Sequence, residues 1–198
     1  MTSSAISWPR TTERLTLRPV TDGDIDQMLT YRNDPEVRRW LIRATVDPAT
    51  FRQKWLASVE DRDDHSCVAL VGDQHVGTGT LEVLDGMGQD DAPESLKVEG
   101  MLGYILDPAH AGHGYATELA HNLLSLAFDD VGLRRVTAGC YADNLASRRV
   151  LEKVGMRLEQ YGVQDSWQAE LGWIDGCTYA LLKEEWDAAA SGEDEVQR

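Results

Sequence analysis

The chain has 198 residues, 42% hydrophobic and 27% charged, which suits one globular domain able to bury a real core. Its 34 acidic against 19 basic residues leave a net charge of −15, which disfavours nucleic acid and anionic membranes as partners. That charge suits a cationic or amine substrate as well as plain solubility. No run approaches the ~18 apolar residues of a membrane span, and the N-terminus MTSSAISWPRTTER lacks the apolar stretch of a secretory signal. A cytoplasmic protein is expected. Cys67, Cys140 and Cys177 are odd in number, lie in apolar strand-like surroundings and have no C-x-x-C spacing, so they read as buried free thiols.

In chain order, residues 1–11 read as an N-terminal extension. RLTLRPV (14–20) alternates like a strand, and TDGDIDQMLTYRN follows as a helix with Ile25, Met28 and Leu29 on one face. A second helix, DPATFRQKWLASVED, carries Pro48 near its first position, where a missing N–H costs nothing. SCVALVG and HVGTGTLEVL form a strand pair around the turn GDQ (72–74). A polar loop (85–95) leads to a strand at 97–106 and a helix at 112–130. A strand at 134–142 and a helix at 144–154 follow, the latter closed by Gly155 with apolar Met156 behind it. Two extended segments, around 156–167 and 173–183, complete the core. The tail from Asp187, DAAASGEDEVQR, lacks core-forming residues and is expected to be disordered. The order describes a mixed-sheet α/β domain in which only 97–106 and 134–142 are joined by a β-α-β crossover.

The helix at 112–130 opens on glycines, the poorest ordinary helix formers. Helix N-termini expose unpaired N–H groups and partial positive charge, and glycine permits positive φ and close approach of a ligand to the backbone. Gly112-His113-Gly114 therefore reads either as a pyrophosphate cradle or as plain turn glycines. Thr117 stands where a dinucleotide-binding G-x-G-x-x-G needs glycine or alanine, and the G-K-[ST] of a P-loop is absent. Residues 134–153 are locally basic, with Arg134, Arg135, Arg148, Arg149 and Lys153 against Asp143 and Glu152, so an anion has a place to sit.

AGHGYATEL (111–119) resembles the acyl-CoA pyrophosphate loop of the GNAT acyltransferases, in particular the Rim-type branch, with Gly114 and Ala116 at its small positions. DNLASRRVLEKVGM (143–156) is similar to the same family's second motif. TERLTLRPVTDGDIDQML (12–29) and GWIDGCTYALLKEEW (172–186) are similar to its opening and closing segments. The resemblance covers 12–186 and implies a single domain. Its mixed, mostly antiparallel sheet would have a central parallel strand pair splayed around acetyl-CoA and flanked by helices. It further implies that pantetheine pairs with the strand end near Leu106, and that the backbone of Ala111, Gly112, His113, Gly114, Tyr115, Ala116 and Thr117 holds the pyrophosphate. Asn144 would hydrogen bond the pantetheine arm near the thioester, and Arg149 would join the CoA-binding set. No metal is expected.

Three positions depart from the family pattern. Ala111 replaces the usual Gln or Arg that opens the loop, so a side-chain contact to phosphate is lost. Met101 replaces the glutamate that often precedes the I-G-Y step; Glu99, two residues earlier on the same strand face, is the substitute base or an ordinary charged residue. Leu151 replaces a tyrosine acid, leaving Ser147 as the nearest hydroxyl or a small residue at a tight contact. Trp173 and Asp175 are expected to border the acceptor. The implied activity is direct acetyl transfer to a primary amine, a protein or peptide α-amine first. The alternatives are a small cationic amine such as an aminoglycoside or polyamine, or a non-catalytic acyl-CoA-binding regulator. Monomer and homodimer both stay open.

Overall fold

The computed structural model describes residues 6–90 and 92–196. Among these residues eight strands form one sheet, β1 (Arg10–Thr11), β2 (Thr16–Arg18), β3 (Cys67–Val71), β4 (Gln74–Leu84), β5 (Glu99–Leu106), β6 (Arg135–Tyr141), β7 (Arg157–Gln168) and β8 (Gly172–Leu182). They lie in the order β1-β2-β3-β4-β5-β6-β8-β7, and every neighbouring pair is antiparallel except β5 and β6. The helices are α1 (Ile25–Arg32), α2 (Pro35–Arg38), α3 (Pro48–Ser58), α4 (Tyr115–Ser125), α5 (Leu145–Lys153) and α6 (Lys183–Val196). The mixed α/β architecture read from the sequence is the one observed.

Strand alternation divides the buried residues between two cores. Cys67 and Ala69 of β3 face the larger core, which α4 seals with Leu119, Ala120, Leu123 and Leu124. Val68 and Leu70 face a smaller one with Ile25, Met28 and Tyr31 of α1. Phe51 and Trp55 of α3 are only partly buried against that second core, so α3 covers the sheet loosely. α4 runs on through a π-helical turn at Leu126–Val131 and ends on Gly132 at φ 80°. α5 closes as expected, with Gly155 at φ 86° and the buried Met156 N–H donating to Leu151 O at 3.0 Å.

Three features differ from the sequence reading. Residues Arg10 and Thr11, assigned to an extension, form β1 and pair with Leu17 and Thr16. The short α2 opens on Asp34, whose carboxylate accepts from Glu36 N–H, with Pro35 at the first helical position. Residues 187–196 are helical, where a structureless tail was expected; residues 197 and 198 lie outside the described residues. Trp186 anchors the start of this helix by packing against Phe128 and His121 and donating from Nε1 to Asp129 Oδ1 at 3.0 Å. Ala188, Ala189 and Ala190 then propagate it through high helix propensity.

Candidate acetyl-CoA site

β5 and β6 pair over three positions, Glu99 with Arg135, Gly100 with Val136 and Met101 with Thr137. Beyond Met101, β5 stays registered with β4 as far as Leu106 and Gly77, while β6 stays with β8 as far as Tyr141 and Gly176. Each strand follows its outer neighbour, so the pair splays. The β6-facing backbone of 102–106 has no strand partner among the described residues, and unpaired N–H and C=O groups call for one.

Just beyond the open end of this V lies the glycine loop. Asp107 accepts from Ala109 N–H at 2.9 Å, and Ala111 N–H donates to Pro108 O at 3.1 Å, which turns the chain toward α4. Gly112 and Gly114 both sit at φ 80°, and Gly114 is the N-cap of α4. Among the described residues, no hydrogen bond is made by the N–H groups of 112–117. A Cβ at Gly112 would meet nothing within 4 Å. Six consecutive free donors beside open space are what a bound pyrophosphate would need. His113 stacks on Tyr115 with ring centroids 5.5 Å apart.

The missing side chain at Ala111 has a counterpart that the linear motif does not reveal. Arg14 reaches the loop from the β1–β2 turn, donating from Nη1 to His113 O at 2.7 Å, with its guanidinium 5.0 Å from the Tyr115 ring centroid. Glu118 holds it there. That carboxylate accepts from Arg14 N–H and Nε, each at 2.8 Å, and from the Thr12 hydroxyl. Burial works to raise the Glu118 pKa, but these hydrogen bonds outweigh it and hold the carboxyl below its usual range. Arg14 keeps about two fifths of its side chain exposed beside Gly114.

On the far side of the V, Asn144 is the N-cap of α5: its Oδ1 accepts from Ser147 N–H at 3.1 Å, leaving Nδ2 to donate elsewhere. Ser147 Oγ lies 3.0 Å from Tyr104 Oη, which links α5 to the splayed part of β5. Burial pushes the Tyr104 pKa up to about 12, so its phenol stays protonated at neutral pH. Cys140, half-buried rather than buried, lies close by with its thiol pushed up to about 11 by burial. Leu151 is fully buried in the core and adds no polar group here.

Glu99 lies at the closed end of the β5–β6 pair, with its carboxylate 3.6 Å from Arg134 and 3.7 Å from Arg135. The carboxylate that stands beside Met101 is Glu82, its direct partner in the β4–β5 register. Opposite residues of an antiparallel pair share a face at roughly 5 Å, so register supplies what the β5 sequence lacks. Trp173 is 59% exposed and packs edge-on against Trp167 at 5.5 Å. Asp175 accepts from Gln164 N–H at 2.8 Å and Tyr161 Oη at 2.7 Å. Those bonds hold its carboxyl below the usual range and fix the β7 irregularity between Gly162 and Ser166. Of the basic run, Arg135 pairs with Glu159 and Arg148 donates to Tyr179 Oη and Ala142 O. Arg149 stays exposed on α5.

The acetyltransferase (GNAT) domain pattern matches residues 14–157. The chain belongs to the GNAT acetyltransferase family. It is 35% identical over 86 residues to the uncharacterized N-acetyltransferase YnaD of Bacillus subtilis, covering 43% of this chain and 50% of that protein. It is 26% identical over 181 residues to the uncharacterized N-acetyltransferase p20 of Bacillus licheniformis, covering 88% and 96%. Among solved structures, RimL, a ribosomal L7/L12 α-N-protein acetyltransferase in complex with coenzyme A, superposes with a TM-score of 0.73 at 16% identity, covering 88% and 97%. The spermidine N-acetyltransferase of Vibrio cholerae, in complex with CoA and spermine, gives 0.73 at 15% identity, covering 88% and 99%. At these identities the two structures establish the fold alone.

Proposed function

We propose that the chain is an acetyl-CoA-dependent N-acetyltransferase that transfers acetyl directly to a primary amine of low pKa, with an α-amine as the first choice. The observation that carries this reading is the row of free N–H groups at 112–117, set at the mouth of the splayed β5–β6 pair. Acetyl-CoA would supply an activated acyl thioester; the chain's own groups bind, orient and move protons. The 112–117 backbone holds the pyrophosphate, and Arg14, ion-paired with Glu118 at 2.6 Å, adds a guanidinium donor where Ala111 offers none. The unpaired edge of 102–106 takes the pantetheine amides, and Asn144 Nδ2 donates to the same arm. A β5 N–H aimed into the V stabilises the oxyanion. Ser147 Oγ, backed by the protonated Tyr104 phenol, gives a proton to the leaving sulfur.

The preference for a low-pKa amine rests on arithmetic. At pH ~7.5, freeing an α-amine of pKa near 7.8 costs about 0.4 kcal/mol, and freeing a lysine amine of pKa near 10.4 costs about 4 kcal/mol. Glu99 sits at the closed end of the β5–β6 pair beside Arg134 and Arg135, and Met101 offers no base. That leaves Glu82, opposite Met101, to take the proton, and an α-amine asks far less of that carboxylate than a lysine does. The test is thermal protection by acetyl-CoA against NAD and ATP, followed by thiol release with paired peptides. One peptide carries only a free N-terminus and the other only a lysine amine. Acetyl-CoA should protect and the α-amine should be favoured at neutral pH. No protection at millimolar acetyl-CoA sinks the reading, whereas protection without turnover of any amine leaves an acyl-CoA-binding regulator.

A further inference from the structure

On the sheet face opposite α4, between α1, the 43–47 segment, α3 and strands β4 and β5, the structure holds an open cleft of about 390 Å³. One wall is apolar, made by Phe51 and Trp55 of α3 with Ile105 of β5. Ile105 belongs to the splayed part of β5, so the cavity backs onto the strand edge assigned to pantetheine. β4 lines it with Thr78, Thr80 and Glu82, alternate residues that share one strand face.

At the α1 end stands an unusual charge. Arg32 is only 6% exposed, yet no carboxylate lies within 4 Å of it among the described residues, and its Nη1 is buried without a hydrogen-bond partner. Its Nη2 donates to Arg43 O, and its guanidinium lies 5.7 Å from the Phe51 ring centroid. The hydroxyl of Tyr31, also buried and also lining the cavity, faces Thr78 but makes no hydrogen bond of good geometry to it. The nearby acids do not supply one: Asp47 caps α3 through Thr50, and Asp64 accepts from Ser66 N–H. Guanidinium cannot shed its proton in a protein, and buried charges are paired. An oxygen atom from water or from a ligand in the cleft can supply that partner.

We infer that this cavity is the acceptor pocket and that Arg32, with Tyr31, selects amines bearing an anionic oxygen group, a carboxylate or a phosphate, while Glu82 faces the amine. The inference rests on the acetyltransferase reading and narrows its substrate class. Arg32 of α1 and Glu82 of β4 line the same cleft, together with Arg43, Lys54, Asp47 and Asp64. Groups of both signs match a small zwitterionic acceptor, and the volume lies at the small-molecule end of binding sites. A polyamine presents only cations and would leave Arg32 unsatisfied. Acetyl transfer consumes the neutral amine: its nitrogen bonds to the acyl carbon, and the carbon–sulfur bond breaks. The amine proton passes to Glu82 and on to solvent, and the thiolate takes a proton from Ser147 Oγ, which recovers one from solvent.

The test compares matched pairs as acceptors, each with a peptide α-amine, Ala-Ala against Ala-Ala amide and Ala-phosphoserine amide against Ala-Ser amide, with spermidine alongside. The anionic member of at least one pair should show a kcat/KM ten or more times that of its neutral partner, and the pair that responds tells carboxylate from phosphate. Arg32→Gln should bring that ratio close to one, and Arg32→Lys should restore part of it. Glu82→Gln should lower kcat for both members without changing the ratio. If no amine is turned over, the same pairs are compared by thermal shift on the CoA-saturated protein, where the anionic member should protect more. Ratios near one in the wild type, a ratio that survives Arg32→Gln, or spermidine as the best acceptor overturns the inference. Should Arg32→Gln fail to fold, the wild-type ratios decide. Loss of acetyl-CoA protection in the wild type marks failure of the parent reading; equal ratios with protection intact mark failure of this one.

Discussion

Gly114→Val is the sharpest perturbation of the proposed cradle, because the same helix carries its own control. Gly114 at the start of α4 and Gly132 at its far end both sit at φ 80°. A side chain at either position pays the left-handed penalty of about 1–2 kcal/mol, and more when β-branched. Neither has a steric obstacle in the folded protein: a Cβ at Gly132 meets nothing within 4 Å, and one at Gly114 meets only the flexible end of Arg14 at 3.4 Å. At roughly 2–4 °C per kcal/mol for a chain of this size, each valine should lower Tm by at least about 2–8 °C. Acetyl-CoA at ~100 times its Kd adds about 2.7 kcal/mol, or roughly 5–11 °C. Gly132→Val should keep that gain, and Gly114→Val should lose it, because the new side chain stands between the backbone donors and the phosphates. Differential scanning fluorimetry with and without acetyl-CoA reads both numbers. A full gain in Gly114→Val would mean that the pyrophosphate lies elsewhere, and loss in Gly132→Val would mean that helix strain alone explains the effect.

Asn144→Asp keeps a good N-cap for α5 but removes the Nδ2 donor, so CoA affinity should fall while stability holds; Asn144→Ala should also lose the ~0.5–2 kcal/mol typical of a lost cap. Isothermal titration beside urea melts separates the two. Arg14→Ala should weaken CoA by roughly 10–100-fold, the worth of one hydrogen bond to a charged group, and should flatten the salt dependence of binding; equal affinity at low and high salt in the wild type would count against it. Ser147→Ala and Tyr104→Phe should each lower kcat for thiol release with KM nearly unchanged, and a double variant no worse than either single one would confirm that the two hydroxyls act as one unit. Burial holds the His75 pKa below its usual value, with neither ring nitrogen hydrogen bonded. The unfolded chain therefore binds the extra proton first. Stability should be full above pH ~6.5 and fall as pH drops below it, by at most about 1.4 kcal/mol per pH unit for this group. Urea midpoints at pH 7.5 and 5.5 should show the loss, and His75→Phe should reduce it; an unchanged slope would exclude His75 as a source.

Local pattern was enough to read the strands, the long helices and the glycine loop, because each depends on contacts within a few residues. Alternation in 14–20, the unbroken apolar run Cys67–Val71, the apolar face of α4 and the positive φ that Gly112 and Gly114 permit are all properties of short windows. The β5-α4-β6 crossover followed from element order. Partner choice was not legible in the same way. Glu99 and Glu82 are both acids on strands, and only the β4–β5 register puts Glu82 opposite Met101 while Arg134 and Arg135 occupy Glu99. Arg14 lies 99 residues from the His113 carbonyl it touches, and Tyr104 lies 43 from Ser147. Asp175, which sequence placed beside the acceptor, uses its oxygens to hold the β7 irregularity. The end of parallel pairing at Met101 depends on β4 and β8 drawing their neighbours apart, which no window within β5 or β6 records. Arg32 is the extreme case. In sequence it closes an amphipathic helix as any basic residue does, and only the fold buries its charge beside a cavity with nothing to pair it. Backbone preference is settled along the chain, but desolvation and ion pairing are settled across the sheet.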